Sequence, residues 1–254
     1  MKKLDRQTIL ITRDSNQAGD FKNQLIELGA TVICVPTIKL VDPDSWRSFD
    51  KNARQLSNIN WIVFSSINAV HQTDLRLKKL GIDLNDYPGI QIAAVGNQTA
   101  ETIRQKGWKV SLIPDKYQAE DLSQVMVTQV KPNQNIWLPR ALVARDVLTP
   151  VLEQVGANVS ISPVYQNIAP LENRLLLLDA FCSNHLNWIT FTSSSTVSNL
   201  FQILSEDAKQ LTWPKIASIG SITTDTILKY QLTPCFTAVP QNIEGLIQGI
   251  LQYR

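Results

Sequence analysis

Asn60-Trp61-Ile62-Val63-Phe64-Ser65-Ser66 returns 127 positions later as Asn187-Trp188-Ile189-Thr190-Phe191-Thr192-Ser193. Working outward at the same spacing, Ile11-Thr12-Arg13 meets Leu138-Pro139-Arg140, and Leu28-Gly29-Ala30-Thr31-Val32 meets Val155-Gly156-Ala157-Asn158-Val159, with Pro36 on Pro163. After a three-residue slip the spacing becomes 124. There Ala94-Val95-Gly96-Asn97-Gln98-Thr99 meets Ser218-Ile219-Gly220-Ser221-Ile222-Thr223, and Glu120-Asp121-Leu122 meets Glu244-Gly245-Leu246. Chance does not place five such matches in one order, so two copies of one unit fill the chain.

Both copies share a rhythm: a β-branched apolar run, then ten to fifteen residues with helical spacing, then another run. The runs fall at 8–12, 31–35, 61–65, 91–95 and 110–113 in the first copy, and at 135–138, 158–162, 187–191, 215–219 and 235–239 in the second. Helical spacing occupies Ala18–Leu28, Asn97–Lys106, Val147–Val155 and Thr223–Tyr230. Alternating strand and helix patterns imply parallel sheets covered by helices on both faces. The expected fold class is therefore α/β, with two doubly wound, flavodoxin-like units. Gly29, Gly107 and Gly156 stand where a helix should end in a left-handed cap. A plain division near residue 127 satisfies the repeat as well as any other division.

Of 254 residues, 44% are hydrophobic and 18% charged, and the mean hydropathy of -0.07 is that of a globular chain rather than a disordered one. Lys and Arg number 24 against 22 Asp and Glu, and a net charge of +2 gives no field of the kind that gathers nucleic acid. The apolar run 8–12 is too short for a signal-peptide core, and no uncharged run reaches the roughly 18 residues of a membrane span. The expectation is a cytoplasmic protein without nucleic-acid or membrane partners. Cys34, Cys182 and Cys235 are odd in number and lack a C-x-x-C spacing, so they read as core residues rather than a disulfide framework or a zinc site.

In an open α/β sheet a ligand binds outside the carboxyl ends of the strands. Both copies place small donors there: Ser65-Ser66 and Thr192-Ser193 after one strand, Gly96 to Thr99 and Gly220 to Thr223 after the next. Glycine lets a ligand approach the backbone, and the amides and hydroxyls that follow suit a carboxylate or phosphate. Ser66, Thr99, Ser193 and Thr223 read equally well as helix caps. Arg13 and Arg140 follow strands in matching register, and with Arg145 they offer either a bidentate grip on a carboxylate or a surface ion pair. G-x-G-x-x-G, G-x-x-x-x-G-K-[ST], H-E-x-x-H and G-x-S-x-G are all missing, and His71 and His185 lack metal-ligand spacing. No cofactor and no metal are expected. The residues point to a two-unit receptor for a small anion.

The ordered set resembles the uroporphyrinogen-III synthase family over nearly the whole chain. Its carriers are Ile11-Thr12-Arg13, Phe64-Ser65-Ser66-x-x-Ala69-Val70, Ala94-Val95-Gly96-x-x-Thr99-Ala100, Ala119-Glu120-x-Leu122, Arg145-x-x-Leu148, Gly156-Ala157-x-Val159 and Pro163-Val164-Tyr165. The second copy adds Phe191-Thr192-Ser193, Lys215-Ile216-Ala217-Ser218-Ile219-Gly220-x-x-Thr223 and Glu244-Gly245-Leu246. Two positions depart from the family pattern: Thr224 stands where alanine is usual, and Ser65 where threonine is common.

The resemblance implies two lobes, residues 1–37 with 168–254 and residues 41–163, joined by extended linkers at 37–40 and 164–168. It also implies the reaction. Hydroxymethylbilane loses its hydroxyl, ring D inverts through a spiro-pyrrolenine, and the macrocycle closes as uroporphyrinogen III. The bilane also closes unaided to the type I isomer, so the protein's task is to fold the substrate along the inverting path. Carried over motif by motif, Ser66, Gly96, Thr99, Ser193, Gly220 and Thr223 become contacts to the substrate's acetate and propionate groups. Arg13 and Lys215 become carboxylate partners, and Tyr165 assists departure of the hydroxyl. Taken without the resemblance, Tyr165 at the end of an apolar run reads as a packing residue. A monomer that receives its substrate from the preceding pathway enzyme is the expected form. The alternative is a non-catalytic two-lobe binding or sensor module for a small anion, because fold does not settle function.

Overall fold

The computed structural model describes residues 2–13, 15–115, 118–183 and 185–253. The first part of the chain runs β1 (Thr8–Ile11), α1 (Ser15–Glu27), β2 (Thr31–Cys34), β3 (Lys39–Val41), α2 (Arg47–Ala53), β4 (Trp61–Phe64), α3 (Ile67–Lys79), β5 (Gln91–Ala94), α4 (Asn97–Gln105) and α5 (Ala119–Gln129). The rest runs β6 (Asn135–Ala141), α6 (Leu148–Gln154), β7 (Asn158–Ile168), α7 (Arg174–Cys182), β8 (Leu186–Phe191), α8 (Ser194–Leu204), β9 (Lys215–Ser218), α9 (Ser221–Lys229), β10 (Phe236–Thr237) and α10 (Ile243–Gln252).

Two five-stranded sheets form, ordered β10-β9-β8-β1-β2 and β3-β7-β6-β4-β5. The first belongs to a unit of Met1–Lys39 with Ile168–Arg254, the second to a unit of Leu40–Asn167. The repeat does not divide at its midpoint. Each sheet takes β-strands from both copies: β1 and β2 pair with β8 to β10, while β4 and β5 join β6 and β7. Matched through the repeat, both units follow the flavodoxin-like order 2-1-3-4-5. In the second unit the fifth place is held only by a bridge at Leu112, and β3 is added at the opposite edge.

The repeated Asn-Trp stretch plays the same part in both units. Asn187 Oδ1 accepts the N–H of Thr8 at 2.8 Å, and Asn60 Oδ1 accepts the N–H of Asn135 at 2.8 Å. In each unit the same asparagine thus fixes the first amide of the strand beside it, a donor that has no ladder partner at the strand start. Trp61 and Trp188 follow, both buried.

Side chains alternate between the two faces, and each face has its own core. In the first unit Ile9, Ile11 and Trp188 pack with Phe21 and Leu25 of α1 and with Leu246 and Ile250 of α10. Leu10, Ile189 and Phe191 pack on the other face with Leu177 of α7, Leu200 of α8 and Ile227 of α9. In the second unit Ile62 and Phe64 face α3 and α4, while Trp61 and Val63 face α5 and α6. Strands covered on both sides read as continuous apolar runs. Gly29, Gly107 and Gly156 take φ of 100°, 81° and 81° at helix ends, a region where a side chain is strained.

Two segments differ from expectation. Residues 110–113 form only an isolated bridge, Ala93 to Leu112, because Pro114 stops the ladder by lacking an N–H. β10 spans two residues rather than five. The boundaries between the units fall at Lys39/Leu40 and Asn167/Ile168, inside the expected linkers 37–40 and 164–168. These extended segments are in part strand: β3 begins at Lys39, and β7 continues unbroken to Ile168. Val164 and Tyr165 are 0% and 7% exposed, and the Tyr165 carbonyl accepts the N–H of Leu142 at 2.8 Å, so burial and backbone pairing hold this segment in the sheet.

Candidate active site

The helices that follow β4, β5, β8 and β9 start at the carboxyl ends of their strands, and they start in two ways. Ser66 and Ser193 are N-caps whose hydroxyls accept amide N–H groups of the first turn, from Ala69 at 3.2 Å and from Thr196 at 3.2 Å. Ser193 completes a capping box with Thr196. Gly96 and Gly220 are the N-caps of α4 and α9, and neither offers a side chain to the first turn. The amides of these two turns receive no acceptor from an N-cap side chain. Thr99 and Thr223 stand at the third helical position, 7% and 4% exposed, and among the described residues no hydrogen bond engages either hydroxyl. They are therefore not caps, whereas Ser66 and Ser193 are.

A helix start favours negative charge, and sequences commonly place Asp or Glu there. α5 carries Glu120 and Asp121 in its first turn and α10 carries Glu244. α3, α4, α8 and α9 carry no acidic residue in theirs. Among the described residues these four helix starts carry no acid of their own, an arrangement suited to an external carboxylate.

Tyr165 joins this set in the second unit. Its ring belongs to the core with Phe64 and Trp137, and its hydroxyl lies 3.2 Å from Ser66 Oγ. A serine hydroxyl has one proton and two lone pairs, so Ser66 can accept the Ala69 N–H and still donate to Tyr165. In that direction the Tyr165 proton stays free for a third group. The packing expected from sequence is present, and the hydroxyl in addition reaches the helix start.

Arg13 is half-buried at the exit of β1, beside Thr12, whose hydroxyl donates to the Thr190 carbonyl at 2.8 Å. Lys215 does not join the others. It opens β9, and the strand's four residues separate it by about 10 Å from the Gly220 end of the same unit. Its ammonium instead lies 5.4 Å from the Trp188 ring and 5.8 Å from that of Tyr253, over a cavity of about 430 Å³ at the amino ends of the strands. A motif match fixes a residue's position along a strand but not the ligand it faces. Arg140 pairs with Asp146 at 3.3 Å and Arg145 with Glu120, the ion-pair alternative in both cases.

One ionic cluster carries no sequence motif. Asp74 on α3 is buried and meets Lys106 at 2.9 Å and Lys78 at 3.0 Å. Burial drives its carboxyl up, but the hydrogen bonds and charges of the two lysines outweigh that and hold it below the usual range. The neighbouring imidazole of His71 is pushed down, by burial first and by the Lys106 charge second. Asp74 and Lys106 lie far along their helices from the strand exits, and the cluster serves to join α3 to the end of α4. The lysine at i+4 was visible in the sequence; the partner on the next helix was not.

The profile of a family described as uroporphyrinogen-III synthase HemD matches residues 19–248. A uroporphyrinogen-III synthase of Synechococcus elongatus is 32% identical over 252 residues, spanning 97% of this chain and 95% of its own length. A putative uroporphyrinogen-III synthase of Methanothermobacter thermautotrophicus is 26% identical, spanning 88% and 89%. Among solved structures, a mutant uroporphyrinogen III synthase of the extremely thermophilic bacterium Thermus thermophilus superposes with a TM-score of 0.65 at 18% identity, covering 97% of this chain and 98% of its own. The uroporphyrinogen-III synthetase of Helicobacter pylori 26695 gives 0.61 at 16% identity, covering 98% and 100%. At these identities the two structures speak for the fold.

Proposed function

The chain belongs to the uroporphyrinogen-III synthase family, and from that premise we propose how its side chains carry out the family's reaction. As a member it is a cyclising lyase of tetrapyrrole biosynthesis, turning hydroxymethylbilane into uroporphyrinogen III. The observation that supports the residue assignment best is the pair of glycine-capped, acid-free helix starts at repeat-related positions. In this reading the first-turn amides after Gly96 and Gly220, with the buried hydroxyls of Thr99 and Thr223, receive acetate and propionate groups of the bilane. Arg13 supplies a cation, Ser193 caps its helix while keeping its hydroxyl proton for the substrate, and Ser66 caps its helix and gives its one proton to Tyr165.

Tyr165 acts on the leaving group. Ser66 donates to the phenol oxygen, so the phenol proton passes to the hydroxide as the carbon–oxygen bond breaks, and water leaves. The adjacent hydroxyl stabilises the phenolate that results. Macrocycle closure releases one proton from the pyrrole carbon that forms the new bond, and that proton restores the phenol. The electron-rich pyrrole supplies the driving force for ionisation, so general-acid help is modest and positioning dominates. Lys215 lies outside this scheme. A monomeric enzyme of the cytoplasm, fed by the preceding pathway enzyme, is part of the same proposal; among the described residues no helix is long and apolar enough to cross a membrane.

Incubation with freshly generated hydroxymethylbilane, oxidation of the products and separation of the isomers tests the assignment against a mere receptor. Type III product is expected. A protein that binds the bilane yet leaves type I dominant is the sensor module of the alternative reading.

A further inference from the structure

We propose that Thr224 is a positioning residue, holding the carboxylate-binding turn of α9 through a relay of hydroxyls beneath it. The inference rests on the assignment of that turn to the substrate. Ser218 Oγ donates to the Gly220 carbonyl at 3.1 Å, and Thr224 Oγ1 donates to Ser218 Oγ at 2.9 Å. A third hydroxyl, Thr237 Oγ1, lies 2.6 Å from Thr224 Oγ1. Proton counting sets the direction of that last bond. Thr224 has one hydroxyl proton, already given to Ser218, so Thr237 donates and Thr224 accepts. The chain runs Thr237 to Thr224 to Ser218 to the Gly220 carbonyl, and each bond polarises the next.

Its end point matters because the peptide unit is planar. The Gly220 carbonyl also accepts the Thr224 N–H at 2.9 Å, so two donors fix its direction. The Ser221 N–H belongs to the same plane and leaves on the opposite side, at a helix start with no side-chain cap. Fixing the carbonyl therefore aims the amide. Ser218 is fully buried, and Thr224 and Thr237 are half-buried.

The second unit lacks the relay. The positions equivalent to Ser218, Thr224 and Thr237 through the 124-residue spacing are Ala94, Ala100 and Ile113, which have no side-chain donors. Only the backbone bond from Ala100 N–H to the Gly96 carbonyl, at 3.0 Å, is common to both. The threonine that departs from the family's alanine is therefore the middle of a polar chain that one copy has and the other does not. The turn of α9 is the pre-organised one, and Thr224→Val should make it resemble the turn of α4.

Steady-state kinetics on hydroxymethylbilane with the intact protein tests this. Thr224→Val keeps the shape and removes the hydroxyl; it should raise KM about tenfold with kcat little changed, as expected for one misaimed donor to a charged group. Thr224→Ser restores the relay and should stay within about twofold of the parent. Ser218→Ala, a smaller change at the same relay, should match Thr224→Val, and the double variant should add little to either because both break one chain. A KM for both Thr224→Val and Ser218→Ala within about twofold of the parent overturns the proposal, as does a Thr224→Ser variant impaired as badly as the valine one. A parent protein that yields only type I isomer overturns the assignment of function as well, which separates the two failures.

Discussion

Tyr165 is held at both ends, its ring within the core cluster that includes Phe64 and Trp137 and its hydroxyl by Ser66. Tyr165→Phe leaves the first set of contacts intact and removes the second. If the hydroxyl protonates the departing group, initial rates fall about a hundredfold, the usual yield of general-acid help. The residual product should still contain type III isomer, because the other contacts fold the substrate. A rate within about twofold of the parent would return Tyr165 to a packing role. Single residues were the part least legible in the sequence. Spacing put Ser66, Thr99, Ser193 and Thr223 at strand exits, yet it could not divide caps from free hydroxyls, since that depends on which residue of the turn is extended. Lys215 shared a motif with Gly220, but it opens the strand that the glycine follows.

In the proposed assignment the helix start is the functional element, and its two forms make opposite predictions. Ser193 closes a capping box, so Ser193→Ala should lower stability by about 1 kcal/mol in denaturant unfolding, with a smaller effect on turnover. Thr99→Ala and Thr223→Ala remove hydroxyls that no described group engages, so melting temperatures should hardly move while each loses about tenfold in kcat/KM. A fall in melting temperature large enough to account for the lost activity would mean these threonines serve the helix after all. Elements themselves were legible because central strands buried on both faces are unbroken apolar runs. The edges were not: residues 110–113 and β10 have partners on one side only, and the apolar pattern overstates how far such a strand pairs.

Two repeat copies were visible in the sequence, but not the exchange of halves between sheets. Nothing local distinguishes β1 paired with β8 from β1 paired with β4, because Asn60 and Asn187 offer the same side chain to either. The exchange has a folding consequence. Both cores of the second unit lie within Leu40–Asn167, so that fragment should fold alone and unfold in one cooperative transition. A fragment ending at residue 127 contains β1 and β2 without β8, and β4 and β5 without β6, and should remain unfolded or aggregate. Cooperative unfolding of that half would contradict the pairing. The central claim is that this chain's own amides and hydroxyls, once the bilane is bound, outcompete spontaneous closure. The most direct measurement is the type III fraction of product at fixed bilane as the protein concentration rises. The account predicts a climb from type I alone to almost entirely type III; a fraction that stays at type I across the whole range, with bilane binding demonstrated, would contradict it.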